Sequence, residues 1–218
     1  MQDSRIHEVI EKLSAAVGQW KVPIVTDITR RQRDPFKVLI ATVLSLRTKD
    51  ETTARAAERL FVEASTAEQM LRLPAEKIAK LIFPVGFYRT KSANIVEICR
   101  RLVEQYCGRV PDNLDELLDF KGVGRKTANL VVTLGYGKPG ICVDTHVHRI
   151  SNRLGYVHTK TPEKTEFALR KKLPPQYWII YNDLLVAFGQ NLCKPLSPFC
   201  SKCPLNQLCD RTGVGRSR

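Results

Sequence analysis

Apolar residues recur at helical rather than strand spacing along most of the chain. Ile6, Val9, Ile10, Leu13, Ala16 and Val17 fall on one helix face, with charged positions between them. Asp34-Pro35 has the form of an N-cap followed by proline at the first helical position, and predicts a helix to about Leu46. A charged helix follows over 50–64, and Thr66-Ala67-Glu68-Gln69 fits a capping box. The periodicity predicts further helices over 75–82, 90–106, 114–120, 125–134, 145–154, 162–173 and 176–192. Gly108 is the expected stop after 90–106, and Thr161-Pro162 repeats the cap-then-proline start. Strand signals are weak; only 140–143 reads as extended, and it is too short to need a sheet partner. The predicted class is all-α.

The length of 218 residues fits one large domain or two small ones. No Gly/Ser-rich linker separates two parts, so a second domain has to share helices with the first. Apolar and charged fractions are those of an ordinary globular protein, which excludes disorder and a collagen-like chain. The longest apolar run, 38–46, is broken by Thr42 and Ser45 and falls far short of the roughly 20 residues of a membrane span. The N-terminus is charged and amphipathic rather than a secretory leader, so the expected location is intracellular (cytoplasm or nucleoid), where thiols stay reduced. The tail over 211–218 is basic and expected to fray. Lys and Arg outnumber Asp and Glu by 35 to 22, a net +13, which points to a polyanionic partner, nucleic acid before anionic membrane.

Three groups of residues carry candidate chemistry. Cys193, Cys200, Cys203 and Cys209 form the pattern C-x6-C-x2-C-x5-C, stiffened by Pro195, Pro198 and Pro204. Four thiolates on a short irregular segment read as a metal site. Zinc usually takes two C-x2-4-C knuckles, and this segment has one; a cuboidal [4Fe-4S] cluster takes four thiolates at wider spacing and is favoured. Zinc and a metal-free cluster are the alternatives. Cys99, Cys107 and Cys142 read as small buried apolar residues.

Phe120-Lys121-Gly122-Val123-Gly124-Arg125-Lys126-Thr127-Ala128 reads as a helix, a tight Gly-x-Gly turn and a second helix. Glycines let the backbone turn sharply and approach a ligand. Amides opening the second helix bind phosphate without reading a base. Lys121, Arg125 and Lys126 add charge, making a candidate helix-hairpin-helix grip on a DNA backbone rather than a plain turn. Asp144, in Val143-Asp144-Thr145-His146-Val147-His148-Arg149, precedes a helix, and taken alone it reads first as an N-cap. His146 and His148 are two apart and face different ways, so they read as surface or packing residues, with one touching a phosphate.

The segments 122–129 (GVGRKTAN) and 143–155 (VDTHVHRISNRLG), followed by the four-cysteine pattern, resemble the endonuclease III family of the helix-hairpin-helix DNA glycosylases. The resemblance runs from about Phe36 to Cys209, with the motifs in family order. It implies two helical lobes with a DNA-binding cleft between them: 28–138 continuous with the hairpin, and 1–27 with 139–218 carrying the iron–sulfur cluster. It implies a monomeric, bifunctional DNA glycosylase/AP lyase that removes damaged, oxidised pyrimidines from double-stranded DNA and nicks 3′ to the abasic site. It makes Lys126 the Schiff-base nucleophile and Asp144 the essential carboxylate, and gives Cys193, Cys200, Cys203 and Cys209 to a [4Fe-4S] cluster.

Three positions depart from the family pattern. Arg47 stands where the family often has a Gln that fills the gap left by a flipped base. Phe87 stands where a Leu wedge is common, and Lys121 replaces a Pro before the hairpin glycine. The implied DNA contacts are Arg47, Phe87, Lys121, Gly122, Gly124, Arg125 and His146, with Lys194 and Lys202 on the cysteine loop. The competing readings are a mismatch or adenine glycosylase of the same superfamily, which typically lacks the Lys, and a non-catalytic DNA-binding module.

Overall fold

The computed structural model describes residues 3–18, 20, 25–26 and 33–218. All regular structure among them is helical. The chain divides into two compact units, Ile24–Lys138 and Met1–Pro23 with Pro139–Arg218. The first division falls at 23/24, where the sequence places it at 27/28. Part of the basic stretch around it lies outside the described residues.

The continuous unit is built around α1 (Pro35–Ser45). Asp34 caps it, its carboxylate accepting from the amides of Phe36 and Lys37 at 2.9 and 3.2 Å. Phe36, Val38, Leu39, Ile40, Ala41, Thr42, Val43 and Leu44 are all buried. A helix apolar on every side belongs inside a core, and the others surround it: α2 (Asp50–Glu63), α3 (Ala67–Leu71), α4 (Ala75–Ile82), α5 (Tyr88–Tyr106), α6 (Leu114–Leu118) and α7 (Arg125–Leu130). The expected helix over 125–134 is α-helical only to Leu130. Val131–Gly135 continues as a π-helical turn, with the Thr133 hydroxyl donating to the Asn129 carbonyl at 2.7 Å.

Two local expectations change. The Thr66 hydroxyl accepts from the Gln69 amide as a capping box requires, but Gln69 reaches one residue further back and accepts from the Ser65 amide at 2.9 Å. Helix α5 starts at Tyr88 and stops through two left-handed residues, Cys107 at φ 51° and Gly108 at φ 75°. Cys107 is therefore exposed at a helix end, not buried as its composition class predicts; Cys99 and Cys142 are buried.

The discontinuous unit assembles the N-terminal helix, here α8 (Ile6–Val17) because it packs with the late elements, on α9 (Thr145–Arg153), α10 (Pro162–Lys172) and α11 (Trp178–Asn191). The predicted face of α8 is realised: Ile6, Val9, Ile10 and Leu13 are buried against a core that includes Tyr181, Leu185 and Phe188 of α11. Leu205 and Leu208 of the cysteine-bearing segment enter the same core. Residues 140–143 are buried but are neither helix nor strand. The expected fraying of the tail is not seen. The Arg218 amide donates to Pro198 at 2.8 Å, the Ser201 amide donates to Arg218 at 2.9 Å, and the Arg218 guanidinium lies over the Phe199 ring at 4.2 Å. The basic end is held because it returns to backbone acceptors and an aromatic face.

Candidate functional site

In the continuous unit, α6 and α7 are joined by the glycine turn. The Val123 amide donates to Phe120 at 3.0 Å, closing the turn, and Gly122 takes φ 83°. A Cβ at Gly122 would stand 2.6 Å from Asn94 Nδ2 of α5, so both space and dihedral angle call for glycine there. Gly124 is different. It is the N-cap of α7 at φ −102°, and a Cβ built on it meets nothing within 4 Å. No side chain caps α7, which suits a helix end whose first amides serve an external acceptor. Lys121 is exposed at the turn, and Arg125 and Lys126 are half-buried in the first turn of α7.

A second pair of turns lies in the same unit. Arg47, after α1, and Phe87, before α5, both adopt left-handed backbone, at φ 53° and 58°. Both are exposed, Phe87 at 63%. The fold brings them together: the Arg47 guanidinium lies over the Phe87 ring, 5.6 Å from its centroid. Bonded to the residues on either side of Arg47 is Lys91, which the sequence reading did not single out. It is 6% exposed, and its ammonium donates to Leu44 O at 2.8 Å, Leu46 O at 2.5 Å and Thr48 Oγ1 at 3.2 Å. Burial pulls its pKa down to about 8. The signal was present in the pattern, since Lys91 shares the buried stripe of Ile95, Ile98 and Leu102.

In the discontinuous unit, Asp144 is the N-cap of α9. Its Oδ1 accepts from the amides of His146 and Val147 at 2.8 and 2.9 Å. The capping reading is thus realised, and two bonds orient the carboxylate. His146 is half-buried, with Nδ1 3.1 Å from the Arg149 guanidinium and the ring close against Gly189. His148 turns elsewhere, its Nδ1 2.7 Å from Thr165 Oγ1. Burial lowers the His148 pKa.

The four cysteines, Cys193, Cys200, Cys203 and Cys209, line one small cavity of about 30 Å³. Ile150, Leu154, Phe188 and Leu205 supply apolar walls. Among the described residues no three His, Cys, Asp or Glu side chains are set to hold a single metal ion. Burial pushes the Cys203 thiol up to about 11 and raises Cys209, and the neighbouring sulfurs add to both. Arg153, also unremarked in the sequence reading, organises the loop. Its guanidinium donates to Lys194 O and Pro195 O, each at 2.7 Å, and to Cys193 Sγ at 3.4 Å. The Arg211 amide donates to Cys209 Sγ at 3.4 Å. Lys194 is half-buried and Lys202 exposed on this loop.

The chain and its fold have counterparts among known proteins. A family model for HhH-GPD superfamily base excision DNA repair proteins matches residues 40–175. An endonuclease III of Thermotoga maritima is 51% identical over 191 residues, covering 86% of this chain and 90% of that protein. An endonuclease III of Bacillus subtilis is 39% identical over 186 residues, covering 85% and 84%. A solved structure of a trapped endonuclease III–DNA covalent intermediate superposes with a TM-score of 0.86 at 35% identity, covering 97% of each chain. Fold and matched segment define a helix-hairpin-helix protein of base excision repair. The chain belongs to the endonuclease III family, and so is a DNA glycosylase with abasic-site lyase activity.

The two hairpin glycines separate folding from binding. Gly122→Ala is expected to lose about 1–3 kcal/mol, because it forces a side chain into left-handed backbone against Asn94. Gly124→Ala is expected to stay within about 1 kcal/mol of the parent, the scale of an N-cap change, yet to weaken duplex DNA binding. Thermal melts and fluorescence anisotropy check the pair; full DNA affinity in Gly124→Ala means that no phosphate approaches this open face.

Proposed function

We propose that this chain removes damaged pyrimidines, oxidised ones foremost, from double-stranded DNA and then nicks the strand 3′ to the abasic site. The observation that carries the reading is the place of Lys126. It is the second residue of an uncapped helix, directly after the 122–124 turn. A strand gripped by those amides has its sugar delivered to an amine.

The damaged base leaves the stack before its sugar can be reached. The Lys126 amine attacks C1′ as the bond from C1′ to the base breaks, and the base departs with that electron pair. The amine then loses a proton and its lone pair breaks the C1′–O4′ ring bond, O4′ leaving as a hydroxyl that takes up a proton, so that a protonated Schiff base joins protein and sugar. The iminium acidifies the C2′ proton, whose loss breaks the C3′–O bond and expels the 3′ phosphate. Asp144 is the carboxylate that stabilises positive charge on the sugar, with Oδ1 held by two amides so that its orientation is set in advance.

The four-cysteine cavity fits a [4Fe-4S] cluster. The four sulfurs line one cavity, and four thiolates with a single C-x2-C knuckle suit an iron–sulfur cluster better than zinc. Buried thiols that repel one another's charge are the donor set an iron cluster neutralises. Cys193, Cys200, Cys203 and Cys209 would hold it. When bound, it supplies a rigid staple with every thiolate committed. With the loop so held, Lys194 and Lys202 would face phosphate. The other DNA contacts are Arg47, Phe87, Lys121, Gly122, Gly124, Arg125 and His146. The protein works as a monomer inside the cell.

Three outcomes follow. On a duplex with a single abasic site, Lys126→Ala is expected to abolish the borohydride-trapped covalent complex while still binding; persistent trapping assigns the nucleophile elsewhere, and a wild-type chain that neither traps nor nicks is a binding module only. Lys202→Ala is expected to reduce the steepness of log K against log salt by about 0.9, one phosphate contact on duplex DNA, as read by anisotropy across a salt series. Cys200→Ala is expected to lose visible iron–sulfur absorbance, melt lower and bind DNA less tightly, since a metal site contributes to folding outright. Cys107→Ala, at the exposed cysteine outside the cavity, retains all three properties.

A further inference from the structure

We infer that Lys91 is a positioning residue: its ammonium ties the turn bearing Arg47 to the turn bearing Phe87, so that the two side chains meet a lesion as one unit. The inference rests on the reading of this chain as a damaged-duplex enzyme.

The geometry begins with donor and acceptor inventories. An ammonium has three donors, and Lys91 spends them on Leu44 O, Leu46 O and Thr48 Oγ1. A hydroxyl has one donor and two acceptor sites. Thr48 Oγ1 donates to Leu46 O at 3.2 Å, and accepts from Lys91 and from the Gly86 amide, the latter also at 3.2 Å. Every position in the network is used. It therefore runs from the end of α1, through Lys91 and Thr48, to the residue before Phe87. The two turns also touch as backbones, since a Cβ on Gly86 would stand 2.8 Å from Arg47 O.

The network has more parts than capping α1 requires. Two carbonyl bonds from Lys91 satisfy the helix end. The third bond goes to the Thr48 hydroxyl, the same oxygen that accepts from the Gly86 amide next to the left-handed Phe87. Arg47 and Phe87 are the exposed outcome, in left-handed backbone with guanidinium over ring. Lys91 is itself buried, so its effect on DNA passes through this exposed pair.

The test compares affinity for a duplex carrying a tetrahydrofuran abasic analogue with affinity for the same duplex undamaged, alongside thermal melts. Thr48→Val removes the bridge to Gly86 while leaving Lys91 its two carbonyls. It is expected to lower the preference for the damaged duplex by about tenfold, the scale of one lost charge-assisted hydrogen bond, with little change on undamaged DNA. Lys91→Met is expected to do the same with a lower melting temperature. Adding Lys91→Met to Arg47→Ala/Phe87→Ala is expected to cause no further loss of preference. Parent-like preference in Thr48→Val, or losses that multiply in the triple variant, overturns the positioning role and leaves the repair reading intact. A parent chain with no preference for the damaged duplex overturns the repair reading itself.

Discussion

Helix α1 is apolar around its circumference and buried along its length, so its last carbonyls cannot turn to water. The rest of the continuous unit is arranged around that constraint. A residue from a helix more than forty positions away supplies the donors: Lys91 of α5 bonds Leu44 O and Leu46 O. A cation at a helix C-terminus also meets a favourable dipole, which compensates for carrying a charge into the interior. Because Lys91 is fixed, α5 is fixed in rotation about its own axis. That rotation sets Asn94, less than one turn further along, against Gly122 of the hairpin. One helix thus gauges both the Arg47–Phe87 turns and the glycine turn at 122–124.

The discontinuous unit solves a similar problem with Arg153, which is 8% exposed. Its guanidinium bonds the carbonyls of Lys194 and Pro195 and the sulfur of Cys193. In both units the described partners of the organising cation are neutral oxygens or a sulfur. The carboxylates engage other cations: Glu51 with Arg55, Glu63 with Lys77, Asp112 with Lys138, and Glu166 with Arg170. The difference has an electrostatic consequence. A cation bonded to a carboxylate is cancelled, whereas one bonded to carbonyls still contributes its field. Holding loops by carbonyls preserves the positive balance that favours a polyanion.

Much of this was legible in the sequence because the determinants are local. The cap-and-proline start of α1 depends on adjacent residues, as does the Asp144 cap. The Gly-x-Gly turn and the four-cysteine spacing are likewise local patterns. What escaped the sequence depends on distant partners. The last residues have basic composition, which reads as a frayed end, until Phe199, Pro198 and Ser201 provide somewhere for Arg218 to go. Lys91 was the most informative omission. A lysine on an apolar stripe violates the pattern around it, and such a violation marks a charge the fold must satisfy by long-range bonds.

The left-handed conformations at Arg47 and Phe87 follow from the same economy of space. A non-glycine residue held there costs on the order of 1–3 kcal/mol and persists only where its surroundings over-determine it. Here they do. Gly86 gives up its side chain so that the Arg47 carbonyl can approach. Thr48 commits its hydroxyl on three sides. Phe87 is then left as the residue that must turn outward, and it does so with most of its ring in solvent. A large exposed aromatic has no folding reason to be there, since the apolar area it leaves in water is unfavourable. The strain and the exposure lie at one place, beside an exposed guanidinium that already covers one face of the ring.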